Sequence, residues 1–261
     1  MYLPPINEVP DQVIKSILYL RQAPDFIRDN KLWKGYFSIG WVSKLSVLVA
    51  IVFSYTFIKG IIGLFSTPES SDIVQQSSFG FMTKLETFGN NLLLSGSMKY
   101  LILILLETVI FHFASKTHEI LSGIKRELTV SDFIAAQIRM IKVAIRSWVY
   151  ELIISAVVIF VLKLLGLNIL STIAFFIIQC FFLGLAFIDN YNEQNGYSIK
   201  ESFVITYDHI GADLIIGAVA YTLFLMPLFG IIITPFICAV GATTYMHYAE
   251  KDHHDTSISY S

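Results

Sequence analysis

The sequence predicts an all-α integral membrane protein, and three observations carry that expectation. Of the 261 residues, 55% are hydrophobic and 14% aromatic, and only 15% are charged. Soluble domains carry about 25% charged residues and cannot hide this much apolar surface. Mean hydropathy is +0.65, and the apolar residues come in runs long enough to enter or cross a bilayer. The third observation is a broken run, "LMPLFGIIITPFICAVGATTYMH" from Leu225 to His247, interrupted by Pro227, Gly230, Pro235 and Gly241. Backbone broken at membrane depth must be sheltered by protein or by a watery cavity, because lipid cannot satisfy it. The net charge of −2 says little by itself. Cys180 and Cys238 sit deep in apolar runs and read as small buried hydrophobes, not as a disulfide or a metal site. No cleaved signal peptide is expected, since "MYLPPINEVPDQ" has neither a basic nor an apolar region.

Residues 11–30 alternate charge and aliphatics at helical spacing, with Val13, Ile14, Ile17 and Leu18 on one face. An interfacial helix is expected there, with Asp11 capping its first turn and Pro24–Asp25 restarting a short second helix. A first span is predicted over 36–66; Lys44 and Lys59 lie towards its ends, where their stems can reach the headgroups. An extracytoplasmic loop over 67–98 follows, then a second span over 99–121 that carries Glu107 and His112. Ser131 and Asp132 start a basic amphipathic helix over 130–146. Ile134, Ile138, Ile141 and Ile145 form its apolar stripe, and Arg139, Lys142 and Arg146 form another face.

Two apolar hairpins complete the membrane part. The first covers 149–188 and turns near Gly166–Asn168, and the second covers 211–248; a polar connector over 189–210 joins them. Residues 249–261 read as a flexible cytoplasmic tail. In the second hairpin the clean helical runs are 214–226 and 236–248, each 13 residues and roughly 20 Å long at the α-helical rise. A hydrocarbon core is about 30 Å thick, so both arms are expected to dip in and turn back; the alternative is two full spans with a proline kink. Broken helices of this kind recur at ion and solute sites because their ends aim partial charges inward.

Charge counting gives an orientation. Six Lys and Arg precede the first span or enter it (Lys15, Arg21, Arg28, Lys31, Lys34, Lys44), and 116–146 holds six more (Lys116, Lys125, Arg126, Arg139, Lys142, Arg146). Only Lys84 and Lys99 lie in 66–99. The positive-inside rule then puts both termini and 116–146 in the cytoplasm.

The candidate residues follow from these placements. Lys31, Lys34 and Lys44 cluster where the first span enters the membrane, as an anion entry site or as a topology signal. Arg139, Lys142 and Arg146 line an anion-collecting vestibule or anchor the chain to anionic lipid. Glu107 and Glu151 lie in apolar runs, where a lone charge is expensive, so each is expected to face the interior and a partner. Their negative sign opposes a simple anion pore unless they are neutralised. His112, His118 and His247 do not fall at metal-ligand spacing, and no metal or cofactor is expected. No phosphate loop, nucleophile elbow or zincin helix occurs, and Ser171, Thr172 and Thr234 have no base beside them. Enzyme and nucleic-acid-binding classes are accordingly set aside.

"FIDNYNEQNGYSIKESF" followed by "FLMPLFGIIITPFICAVGATTYMH" resembles the CysZ-type sulfate permease and etoposide-induced membrane-protein family. There a polar connector precedes an "iP..N....P.avaGAT" ending. Pro227, Pro235, Gly241, Ala242 and Thr243 match in order and spacing, while Gly230 stands where the family has Asn. The likeness runs over roughly residues 10–248. It implies two true spans, two part-way hairpins, interfacial helices and a homo-oligomer in the lipid bilayer. Bacterial relatives move sulfate into the cytoplasm through the inner membrane and hold the anion with a Gly-Leu-Arg motif. The matching stretch here is "KLWKGYF": Leu32 matches, Lys34 supplies a cation, and the arginines are absent. Lysine binds an oxyanion as a point charge without arginine's bidentate fork. The resemblance therefore implies a permease for a small inorganic oxyanion such as sulfate; the alternative is a membrane scaffold or adaptor without transport.

Overall fold

Seven helices and no strand form among the residues that this computed structural model describes, namely 8–34, 98–125, 128–224, 226 and 229–259. They are α1 (Val9–Asp29), α2 (Met98–Ser122), α3 (Val130–Leu164), α4 (Asn168–Gln194), α5 (Ile199–Asp208), α6 (Ile210–Phe224) and α7 (Phe229–Ser259). The predicted span over 36–66, nearly all of the predicted loop over 67–98, and Pro227 lie outside the described residues.

Local chemistry sets the helix ends. Thr129 caps α3 in a reciprocal box with Asp132, and Ser198 does the same for α5 with Glu201. At the far end of α3, Gly166 (φ +74°) lets Leu167 N–H donate to Leu162 O at 2.9 Å and its own N–H donate to Lys163 O at 3.0 Å. Gly196 (φ +79°) closes α4 in the same way, with Tyr197 N–H donating to Asn192 O. Each is a left-handed cap that only glycine enters without steric cost.

Several predicted boundaries are corrected. α1 is one helix of 21 residues with Pro24 inside it, and the N-cap is Glu8; Asp11 instead pairs with Lys15 at 2.9 Å. The basic helix and the first hairpin arm are a single helix, α3, of 35 residues and about 52 Å. The connector over 189–210 is mostly helical: its first residues are the buried end of α4, and the rest is α5. α7 passes through Pro235 without breaking and continues to Ser259, so the tail is helical there and the second arm is not 13 residues long. Its apolar part, Gly230–Asp252, has 23 residues, or about 34 Å. Of the two arms, α6, at 15 residues and about 22 Å, is the one shorter than a hydrocarbon core.

Among the described residues, four helices are long and apolar enough to cross a membrane: Lys99–Ser122, Val130–Leu164, Asn168–Gln194 and Gly230–Asp252. α5 and α6, bent by 99° at their junction, pass the same test only as a pair. The chain is an all-α integral membrane protein.

α4 lies at the centre. Every residue from Phe182 to Asn192 is buried, against α2, α3, α5, α6 and α7. α4 and α6 meet almost backbone to backbone. A Cβ on Gly217 would lie 1.8 Å from Cys180 O, and one on Gly184 would lie 2.1 Å from Asp213 O. Small residues at helix crossings in lipid allow this approach, where packing and not water exclusion holds helices together. Beyond this core the tip of the α3–α4 hairpin is largely bare, with Phe160, Leu164 and Ile169 among its exposed apolar side chains. α1 lies along α6 and α7 with Gln12, Ser16, Leu20 and Ala23 inward; Ile14, Ile17 and Leu18 face outward.

Candidate functional site

A row of polar side chains runs along the inner face of α3, between α2 and α4. Ser147, Glu151 and Ser155, four residues apart, keep near one face, while Arg139 lies further round the helix and reaches in with its long side chain. The row spans 16 residues, or about 24 Å of helix. Ser147 and Ser155 are buried, and their hydroxyls have no hydrogen-bond partner among the described residues.

Arg139 anchors the row near the start of α3. Its Nε and Nη2 donate to the two oxygens of Asp189 at 2.9 and 2.8 Å, a bidentate fork, and its Nη1 donates to Tyr197 O at 2.7 Å. Glu193 lies 4.0 Å from the same guanidinium. Asp189 belongs to the buried turn Asp189–Asn192 of α4, where Asn190 Nδ2 donates to Glu107 of α2 at 3.5 Å and Tyr191 donates to Glu250 of α7 at 2.7 Å.

The middle of the row holds a second charge pair. Lys99 and Tyr100, from α2, both donate to Glu151 Oε2 at 2.5 Å, and Lys99 also donates to Gln179 Oε1 of α4. Lys99, Tyr100, Glu151 and Gln179 are each at most 4% exposed. The amide nitrogen of Gln179 has no partner.

Of the predicted site residues, Arg139, Glu107 and Glu151 thus face the interior, and each has a partner on another helix. The others do not join them. Lys142 and Arg146 are exposed on the outer side of α3. The isoleucine stripe is exposed as well, with Ile134 at 52% and Ile145 at 55%. Leu32 is buried in the turn after α1, and its carbonyl accepts from His112 Nε2 at 3.2 Å; Lys34 is exposed beside it. Gly230 and Gly241 are contact points: a Cβ would lie 1.7 Å from Leu223 O at the first and 2.6 Å from Leu20 Cδ2 at the second. Pro235 and Gly241 therefore do not break the backbone.

Sequence reasoning missed Lys99, Gln179, Asp189 and Asp213. Lys99 was read as a loop charge and Asp189 as part of a solvated connector. Asp213 stands alone in the apolar stretch "GADLIIGAV", a signal of the same kind as Glu107. It is fully buried, and neither carboxyl oxygen has a hydrogen-bond partner.

A cleft of about 340 Å³ opens between α1, α7 and the α5–α6 junction, lined by Glu8, Asp11, Lys15, His209, Tyr245 and Asp252 among others. Lys15 bridges Asp11 at 2.9 Å and Asp252 at 3.0 Å, and these bonds raise its pKa above the ordinary lysine value. Three carboxylates around one ammonium make the cleft unsuited to an anion. No group of three or more His, Cys, Asp or Glu among the described residues could hold a metal ion.

The family described as Sulfate transporter CysZ/Etoposide-induced protein 2.4 matches the chain over residues 12–235. No curated protein and no solved structure matches it.

Proposed function

The chain belongs to the sulfate transporter CysZ/etoposide-induced protein 2.4 family, and on that premise we propose that it is a membrane permease for a small inorganic oxyanion, sulfate by family. The observation that carries the reading is the polar row on α3. A bundle built for packing alone has no reason to bury the Ser147 and Ser155 hydroxyls and the Gln179 amide without partners, since each such group costs about 1–3 kcal/mol. Polar atoms left open inside a membrane protein suit a solute that visits them. On this reading the protein is not an enzyme, needs no cofactor and binds no nucleic acid. It sits in a bacterial inner membrane with both termini cytoplasmic, and assembles into a homo-oligomer. The bare apolar tip of the α3–α4 hairpin supports contact with lipid or with a second copy.

One observation favours a second reading, a scaffold or adaptor without transport. Both inward cations are already neutralised, Arg139 by Asp189 and Lys99 by Glu151, while Glu107 and Asp213 add buried carboxyls. The experiment that separates the two is flux into proteoliposomes carrying the purified chain, with sulfate, sulfite, phosphate and chloride in turn. Entry of an oxyanion above empty vesicles is expected. Flux equal to that of empty vesicles for all four overturns the permease reading. Lys34→Ala adds a second arm: an unchanged anion response together with lost co-purifying partners favours the scaffold.

A further inference from the structure

We infer that Lys99, Tyr100 and Gln179 form an oxyanion-binding site in the middle of the helix bundle, and that the carboxylate of Glu151 occupies it in the absence of solute. The inference deepens the permease reading and rests on it for the identity of the ligand.

The cluster is made of donors. Lys99 brings an ammonium and Tyr100 a phenol hydroxyl, both from α2 and both on Glu151 of α3, while Gln179 of α4 accepts from the ammonium through Oε1 and adds an open amide nitrogen. One carboxylate oxygen, Glu151 Oε2, accepts from both Lys99 and Tyr100. That is the geometry of an anion pocket filled by a tethered anion: a single oxygen gathers a charged and a neutral donor, as a sulfate oxygen would. Two polar atoms exceed what the carboxylate uses. Among the described residues the Gln179 nitrogen donates to nothing, and Ser155, one turn along the same face as Glu151, has an unpartnered hydroxyl. A tetrahedral oxyanion has oxygens to spare for such donors, whereas a planar carboxylate does not reach them all.

Charge explains why the site is held this way. A bare ammonium in this environment would be costly, and Glu151 compensates it between visits. A solute oxyanion and the Glu151 carboxylate compete for the same donors, so each excludes the other. The site releases its ligand when the side chain returns, and a permeation site needs such release because binding too tight stops flux. The phosphate of an anionic lipid offers similar oxygens, but the cluster is buried between α2, α3 and α4, which favours a free solute.

The test measures thermal stability of the purified full chain in neutral detergent, with sodium sulfate titrated against sodium chloride at equal ionic strength. Glu151→Gln keeps the shape and removes the competing charge. It is expected to lower the half-saturating sulfate concentration by about tenfold or more relative to the unaltered chain, a change in Kd worth about 1.4 kcal/mol. The paired variant K99M/E151M removes both charges at once, a replacement that buried pairs often tolerate without loss of stability. It is expected to fold and to lose the sulfate response. Equal responses from the unaltered chain, E151Q and K99M/E151M would overturn the site, as would no response in any of them. A response to phosphatidylglycerol but not to sulfate would overturn it too. Sulfate flux with no gain in E151Q removes this site and leaves the permease reading, whereas a gain in E151Q without flux removes the reading and leaves the site.

Discussion

Gln12 illustrates what a single side chain decides here. Its Nε2 donates to Asp208 O at 2.9 Å and its Oε1 accepts from Gly211 N–H at 2.9 Å, so one amide satisfies the backbone on both sides of the α5–α6 bend. Gln12→Leu leaves a part-buried carbonyl and a buried N–H unpaired. It is expected to lower stability by about 2 kcal/mol, read as a lower melting temperature in detergent; no change would mean that the bend is held by other contacts. Nothing in the sequence announces this role, because the partners lie 196 and 199 positions away. Glu107 and Glu151 were legible as interior groups, since a carboxylate in an apolar run has few other places to go. Their partners were not: Asn190 and Lys99 come from other helices, and spacing along one chain carries no information about them.

At the scale of elements, helix existence was readable and helix ends were less so. The proline rule predicts breaks at Pro24 and Pro235, and the helices run on through both. A proline removes one backbone hydrogen bond, and that local loss is outweighed by tertiary contact. Residues 238–246 of α7 are buried without interruption, and Thr234 donates to Gly230 O at 2.6 Å beside the proline. The predicted basic face over 139–146 does not stay together: Arg139 reaches in to Asp189 of α4, while Lys142 and Arg146 are exposed. The α4–α6 crossing gives a prediction at this scale. Gly217→Leu puts side-chain atoms where the Cys180 carbonyl already lies, and is expected to force the two helices apart. The measurement is recovery of monodisperse protein by size exclusion, which should fall sharply; normal recovery would mean the crossing is looser than its geometry.

For the whole molecule, depth in the membrane is the open variable, and Met226 is placed to measure it. It lies at the turn between α6 and α7 and is 50% exposed, while the native thiols of Cys180 and Cys238 are buried. In sealed right-side-out vesicles, Met226→Cys is expected to resist a membrane-impermeant maleimide, because α6 at about 22 Å falls short of the far leaflet. Prompt labelling from the extracytoplasmic side would establish a full crossing instead. The sequence supported this expectation for α6 and misjudged α7, whose length is set by contacts with α1, α2, α4 and α6.

The tie between Lys15 and Asp252 bears on topology. Both side chains are exposed, at 39% and 60%, and they touch at 3.0 Å, which joins the start of α1 to the far part of α7. With both termini on one side of the membrane, as the charge count expects, the number of complete traversals between them would be even.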